Sequence, residues 1–175
     1  KIGAVAEQLD VPVIVKGVGA GVDRADAEAL LEAGVTMVDV AGAGGTSWSR
    51  IEQRRRDPED ASGLGYLFQD WGLPTPVALL RLAPFGDRLT RIASGGLRSG
   101  VDMAKSLILG ASLCGMARPL LEPAMESADA AVRVIERIRS EYRTALYLLG
   151  RPDTASLRHD RSLIVSMPWE WNHES

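Results

Sequence analysis

The chain has 175 residues, 46% apolar and 25% charged, ordinary soluble globular material with enough apolar side chains for a real core. A net charge of −3, with no basic run longer than Arg54-Arg55-Arg56, argues against a nucleic-acid partner. No apolar stretch approaches the ~20 residues of a membrane span and no leader-like segment opens the chain, so no membrane partner is expected and the protein is expected in the cytoplasm.

In chain order, Ile2, Val5, Ala6 and Leu9 fall at helical spacing and read as the closing turns of a helix that starts upstream of Lys1, so a longer protein is expected. Residues 11–16 read as a strand, followed by a helix over 23–33 that Gly34 closes in the position glycine favours. Residues 35–41 form the second strand, whose helix over 75–83 is delayed by a long insertion. The third strand, 89–93, leads to a helix over 99–109 that stops at Gly110, and the fourth, 111–114, leads to a long amphipathic helix over 120–149 broken near Ser127. The single cysteine, Cys114, lies in that fourth strand; it excludes an internal disulfide or cysteine metal site and reads as a buried small hydrophobe.

Strands alternating with helices at this rhythm mean a parallel α/β architecture. An open sheet of four such units would leave two bare edges, which barrel closure removes. The expected fold is therefore the second half of a (β/α)8 TIM barrel over residues 1–161, with a tail over 162–175. A doubly wound, flavodoxin-like sheet is the alternative, and it leaves the opening helix fragment unexplained.

Two glycine-bearing turns carry most of the chemical information: Ser94-Gly95-Gly96-Leu97-Arg98 and Gly115-Met116-Ala117-Arg118-Pro119. Each follows a strand and opens a helix, at the barrel face where the last two strands commonly hold a phosphate. Glycine lets the backbone approach an anion and helix-start N–H groups point at it. Read otherwise, Gly95 and Gly96 only make a tight turn and Arg98 is a solvated first-turn residue, but the repetition on the next unit favours the anion. Lys16 closes the first strand, where it reads either as a surface lysine at the strand end or as a side chain pointing into the barrel mouth, where its charge needs an anion. The second strand runs into Ala41-Gly42-Ala43-Gly44-Gly45-Thr46-Ser47-Trp48, in which Thr46 offers a hydroxyl and Trp48 a flat face. His159 and His173 fall outside any motif and read as solvated histidines.

These segments resemble the C-terminal half of the type 2 isopentenyl diphosphate isomerases, flavin mononucleotide (FMN) enzymes. Val13-Ile14-Val15-Lys16-Gly17-Val18-Gly19 is similar to that family's lysine strand, Asp39 through Glu52 to its glycine-threonine loop, and Trp71-Gly72-Leu73-Pro74-Thr75 to its helix entry; the two phosphate turns complete the order. The resemblance implies an isomerase interconverting isopentenyl and dimethylallyl diphosphate, with FMN as cofactor, NAD(P)H as flavin reductant and Mg2+ on the diphosphate through ligands that lie outside this chain. It implies catalytic roles for Lys16, beside the flavin, and Trp48, on the substrate side. It also implies flavin contacts from Thr46 and a phosphate cradle of Gly95, Gly96, Leu97, Arg98, Ala117 and Arg118. A homo-oligomer, or pairing with the missing half-barrel, is expected.

Departures are also present. Gly17 stands where the family commonly has a glutamate, and the tail Pro168-Trp169-Glu170-Trp171 has no counterpart. An FMN-dependent α-hydroxy-acid oxidase would suit the two turns but needs a His with a nearby Arg where this chain has Gly44-Gly45-Thr46. A barrel oxidising inosine monophosphate would need a cysteine loop, and Cys114 is inside a strand. A catalytically inactive half-barrel awaiting a partner half is the non-enzyme alternative.

Overall fold

A computed structural model describes residues 1–60 and 62–165. Four parallel strands, β1 (Ile14–Lys16), β2 (Met37–Asp39), β3 (Thr90–Ala93) and β4 (Leu113–Cys114), lie side by side in sequence order. α1 (Ile2–Ala6) precedes β1; α2 (Arg24–Glu32) joins β1 to β2; α3 (Trp48–Arg56), α4 (Leu64–Leu67) and α5 (Thr75–Arg81) lie between β2 and β3; α6 (Gly100–Ile108) joins β3 to β4; α7 (Arg118–Glu126) and α8 (Ala128–Leu148) follow β4. A doubly wound sheet reverses its strand order at a switch point. The unbroken order here is instead the arc of a barrel, four βα units of a (β/α)8 fold, and it sets aside the flavodoxin-like alternative.

The strands are shorter than their apolar runs because a ladder exists only where a neighbour is in register. Extended backbone continues beyond them: Thr90 N–H donates to Thr36 O at 2.8 Å, and Ser112 N–H to Arg91 O at 2.7 Å. Helix ends follow local signals. Asp23 and Asp26 form a reciprocal capping box at α2, Ser99 caps α6, and Ser127 ends α7 and caps α8, which is the break expected near that residue. Gly34 leaves α2 at φ +80°, a left-handed conformation glycine adopts without strain. The insertion before α5 holds α3 and α4, which the apolar period does not reveal, since α3 is almost wholly polar and α4 has only 4 residues.

Burial separates the two faces of the sheet. On the helix side Val38, Val40 and Ala93 pack with Leu79, Leu82 and Leu89 in the main core. On the other side Ile14 and Leu113 remain 51% and 59% exposed. Parallel sheets are normally covered on both faces, and this bare face is the one that fills the interior of a closed barrel. His159 differs from the expectation of a merely solvated side chain: it is exposed, but its imidazole faces the buried Arg91 guanidinium at 3.5 Å, because residues 151–163 fold back beneath α6. His173 and Pro168-Trp169-Glu170-Trp171 lie outside the described residues. No helix among the described residues is long and apolar enough to cross a membrane.

Cys114 is half-buried between the two apolar clusters, as its place in an apolar strand suggests. Burial pushes its thiol up to about 11. In native protein at pH 8 it should therefore alkylate about 100-fold more slowly than an ordinary exposed thiol, with the rate climbing toward pH 11. Iodoacetamide labelling followed by mass spectrometry measures this, and labelling at the rate of free cysteine would contradict the burial.

Candidate active site

The carboxyl ends of β1, β2 and β3 bring together three polar side chains. Lys16 and Asp39 are lateral partners in the parallel ladder, so their side chains leave the same face. Lys16 Nζ donates to Asp39 Oδ2 at 2.5 Å and to Ser94 Oγ at 2.8 Å. The Ser94 hydroxyl donates in turn to Asp39 Oδ1 at 2.6 Å, and Ala41 N–H donates to the same oxygen at 3.1 Å. Asp39 is 14% exposed and Lys16 56%. The carboxylate is thus the fixed member and the ammonium reaches from it toward solvent. An ion pair this open adds little stability; its consequence is orientation, a cation held over the strand ends. The anion that Lys16 was expected to need is in the first instance Asp39. Neither Asp39 nor Ser94 stood out in the sequence as a partner of Lys16, although an acid within the apolar run 35–41 is a signal that something must meet it.

The glycine loops above these strands interlock backbone to backbone. A Cβ on Gly95 would stand 2.2 Å from Gly42 O, and one on Gly42 would stand 2.3 Å from Thr75 N. A Cβ on Gly45 would meet Gly96 N at 2.7 Å, and one on Gly96 would meet Gly44 C and O at 2.9 Å. Gly95 and Gly96 also sit at φ +88° and +83°. The approach of one loop to another therefore already requires these glycines. Thr75, 2% exposed at the start of α5, ties the arrangement: its hydroxyl lies 2.7 Å from both Ser94 O and Gly95 O, while Gly42 N–H donates to Ser94 O at 3.1 Å.

With the loops locked, the turn after β3 carries backbone amides that lack a partner: among the described residues no acceptor takes the N–H of Gly96 or Leu97. Leu97, 7% exposed, anchors the turn in the core. Arg98 gives its own N–H to Asp102 Oδ2 at 3.0 Å, so its backbone is engaged within α6, and its side chain, 80% exposed, reaches the same carboxylate at 3.5 Å. Ala117 and Arg118 are exposed at the start of α7, which leaves the end of the neighbouring strand β4. Thr46 is exposed in the β2 loop, and the 58% exposed Trp48 opens α3 with its ring beside Gly19, whose absent Cβ would stand 3.5 Å from the indole. A cleft of about 550 Å³ runs past Gly44, Gly45, Thr46, Arg50, Arg54 and Arg118. The structure thus joins Lys16 to Asp39 and Ser94, and places Thr46 and Arg118 on one cleft with Arg50 and Arg54.

This arrangement, a parallel arc with paired glycine turns at its carboxyl end, matches a known family: the sequence model of the FMN-dependent dehydrogenases covers residues 1–164, and the chain belongs to that family. Within it, similar proteins are isopentenyl-diphosphate delta-isomerases. That of Hydrogenovibrio crunogenus is 50% identical over 165 residues, 94% of this chain and 48% of the relative. That of Paracoccus zeaxanthinifaciens is 51% identical over 168 residues, again 94% and 48%. The chain spans about half the length of the curated relatives it matches. Among solved structures, a mutant flavocytochrome b2 with benzoylformate superposes with TM-score 0.68 at 23% identity, over 97% of this chain and 41% of that one. A mandelate oxidase mutant with a monooxide FMN adduct gives TM-score 0.62 at 24% identity, over 90% and 43%. These two likenesses establish the fold.

Thr75→Val keeps shape and removes the buried hydroxyl shared by the Ser94 and Gly95 carbonyls; Ser94 O keeps Gly42 N–H and Gly95 O loses its donor. Stability should fall by about 1–3 kcal/mol in chemical denaturation of the purified protein. An unchanged midpoint would show that the loops are held without it.

Proposed function

We propose that the complete protein is an FMN-dependent isomerase that interconverts isopentenyl and dimethylallyl diphosphate, and that this chain supplies the half-barrel carrying the flavin phosphate turns. The observation that carries the reading is the pair of turns on adjacent strands, one with unaccepted amides at Gly96 and Leu97, beside a lysine held over the strand ends. The names of the half-identical relatives support the substrate.

The residues present fit a phosphate. The amides of Gly96 and Leu97 would donate to it from the locked β3 loop, with Gly95 setting the turn; the first amides of α7 at Ala117 and Arg118 would donate from β4. Arg98 and Arg118, both exposed, would add charge. When bound, reduced FMN supplies proton transfer that shifts a double bond without net electron transfer. Lys16 would hold positive charge at the ring edge and stabilise negative charge developing there, and Asp39 with Ser94 keeps its ammonium aimed. Thr46 would contact the cofactor, and Trp48 would cover the substrate side and exclude water.

NAD(P)H would reduce the flavin. Mg2+ would hold the diphosphate through ligands that lie outside this chain. The bare inner face would be covered by the other half-barrel within a cytoplasmic homo-oligomer. An α-hydroxy-acid oxidase is disfavoured because Gly44-Gly45-Thr46 occupies the place of its His and Arg.

In the complete protein, Lys16→Ala should slow isomerisation by ~10² or more, the usual cost of removing an electrostatic stabiliser, while most FMN stays bound. Stopped assays with isopentenyl diphosphate and flavin absorbance read the two effects separately. Full activity with lost flavin would reduce Lys16 to a binding residue, and no isomerase activity in the unmutated protein would overturn the reading.

A further inference from the structure

A second cluster of charge lies at the opposite end of the sheet, among the loops that feed β3 and β4. Arg91 in β3 is 2% exposed on the face otherwise given to Val38 and Ala93. It donates Nη1 to Leu82 O at 3.2 Å and turns Nη2 toward His159 Nε2 at 3.5 Å, while its buried Nε has no partner. Gly110, at φ +101°, leaves the space: a Cβ there would stand 3.4 Å from Arg91 Cζ and 2.9 Å from the His159 ring. Arg158 donates Nη2 to Ser112 Oγ at 3.0 Å, and its own buried Nε is also without a partner. Arg161 is within electrostatic reach of both Arg91 and His159, and the acid acting on them is Asp87, from the turn before β3. Asp160 is nearby but is engaged by Arg151 and Ser162.

Three guanidiniums facing one carboxylate, two of them with idle buried Nε donors, leave positive charge uncompensated in a partly dry place. Such charge is costly unless an anion joins it. We propose that Arg91, Arg158, Arg161 and His159 form a binding site for a small oxyanion, a phosphate or a carboxylate, at the end of the barrel opposite the glycine turns. The ligand enters on the exposed side of His159, and the planar guanidinium forks match its oxygens. Burial and the neighbouring Arg91 and Arg158 hold His159 below the ordinary histidine value. An anion seated there restores the charged imidazole, so anion and proton bind with positive linkage.

The test uses the complete protein with saturating FMN, titrated with inorganic phosphate and separately with acetate against chloride at constant ionic strength. The readout is the His159 imidazole resonance, identified with His159→Asn; it is local, so its outcome does not depend on the flavin assignment. Phosphate should raise the His159 midpoint by about one pH unit, a tenfold tighter proton, and Arg158→Gln should abolish the shift with flavin content unchanged. The exposed Arg161→Gln, which threatens folding least, should weaken it. A response to phosphate alone assigns a phosphate ligand; an equal response to acetate assigns a carboxylate. An unmoved His159 in both anions, or a shift that persists undiminished in Arg158→Gln and Arg161→Gln, overturns the proposal.

Discussion

The approach of the β2 loop to the β3 loop is the constraint on which the rest of the site depends. Gly42 and Gly95 meet at a distance that admits no side chain, and Gly45 and Gly96 repeat the contact one step outward. Because the main chains touch, the Ser94 carbonyl can accept from Gly42 N–H and Thr75 Oγ1 together. Through Thr75 the same contact fixes α5, and through the Ala43 to Leu73 hydrogen bond at 2.8 Å it fixes the segment leading into that helix. The β3 turn is thereby held at both of its glycines by the backbone of the neighbouring loop.

Below this interlock, strand register does the positioning. Lys16, Asp39 and Ser94 come from three adjacent strands and meet because the parallel ladder puts Lys16 opposite Asp39 and Asp39 opposite Ile92, two residues before Ser94. The barrel arc is polar at its carboxyl ends and apolar along its inner face, where Ile14 and Leu113 stand open. Its amino end carries a different charge balance, with Arg91 sunk among apolar side chains. Lys16 at one end is paired with Asp39, and Arg91 at the other keeps an Nε without a partner among the described residues.

What could be read from the sequence was whatever is encoded locally. The four strand positions, the stop at Gly34, the break at Ser127 and the two turns after β3 and β4 follow from apolar runs, caps and glycine, all within a few residues of chain. The order of motifs added the family. The Lys16 to Asp39 to Ser94 contact could not be read, because it joins residues 23 and 55 positions apart through a register that no local pattern states. The glycines were legible as positions but not as reasons, since the atoms they avoid belong to another loop. The helices α3 and α4 escaped because α3 is almost wholly polar and α4 has only 4 residues, so neither offers an apolar period to detect. The approach of His159 to Arg91 escaped for the same reason as the lysine contact, a long return of the chain.

The central claim is that the turns after β3 and β4 anchor a flavin by its phosphate. Comparing FMN with riboflavin, which differ only in that group, tests it most directly. Fluorescence titration of the complete apoprotein should show FMN binding more tightly by at least about 100-fold, near 2.7 kcal/mol. Equal affinity for the two flavins would contradict the account.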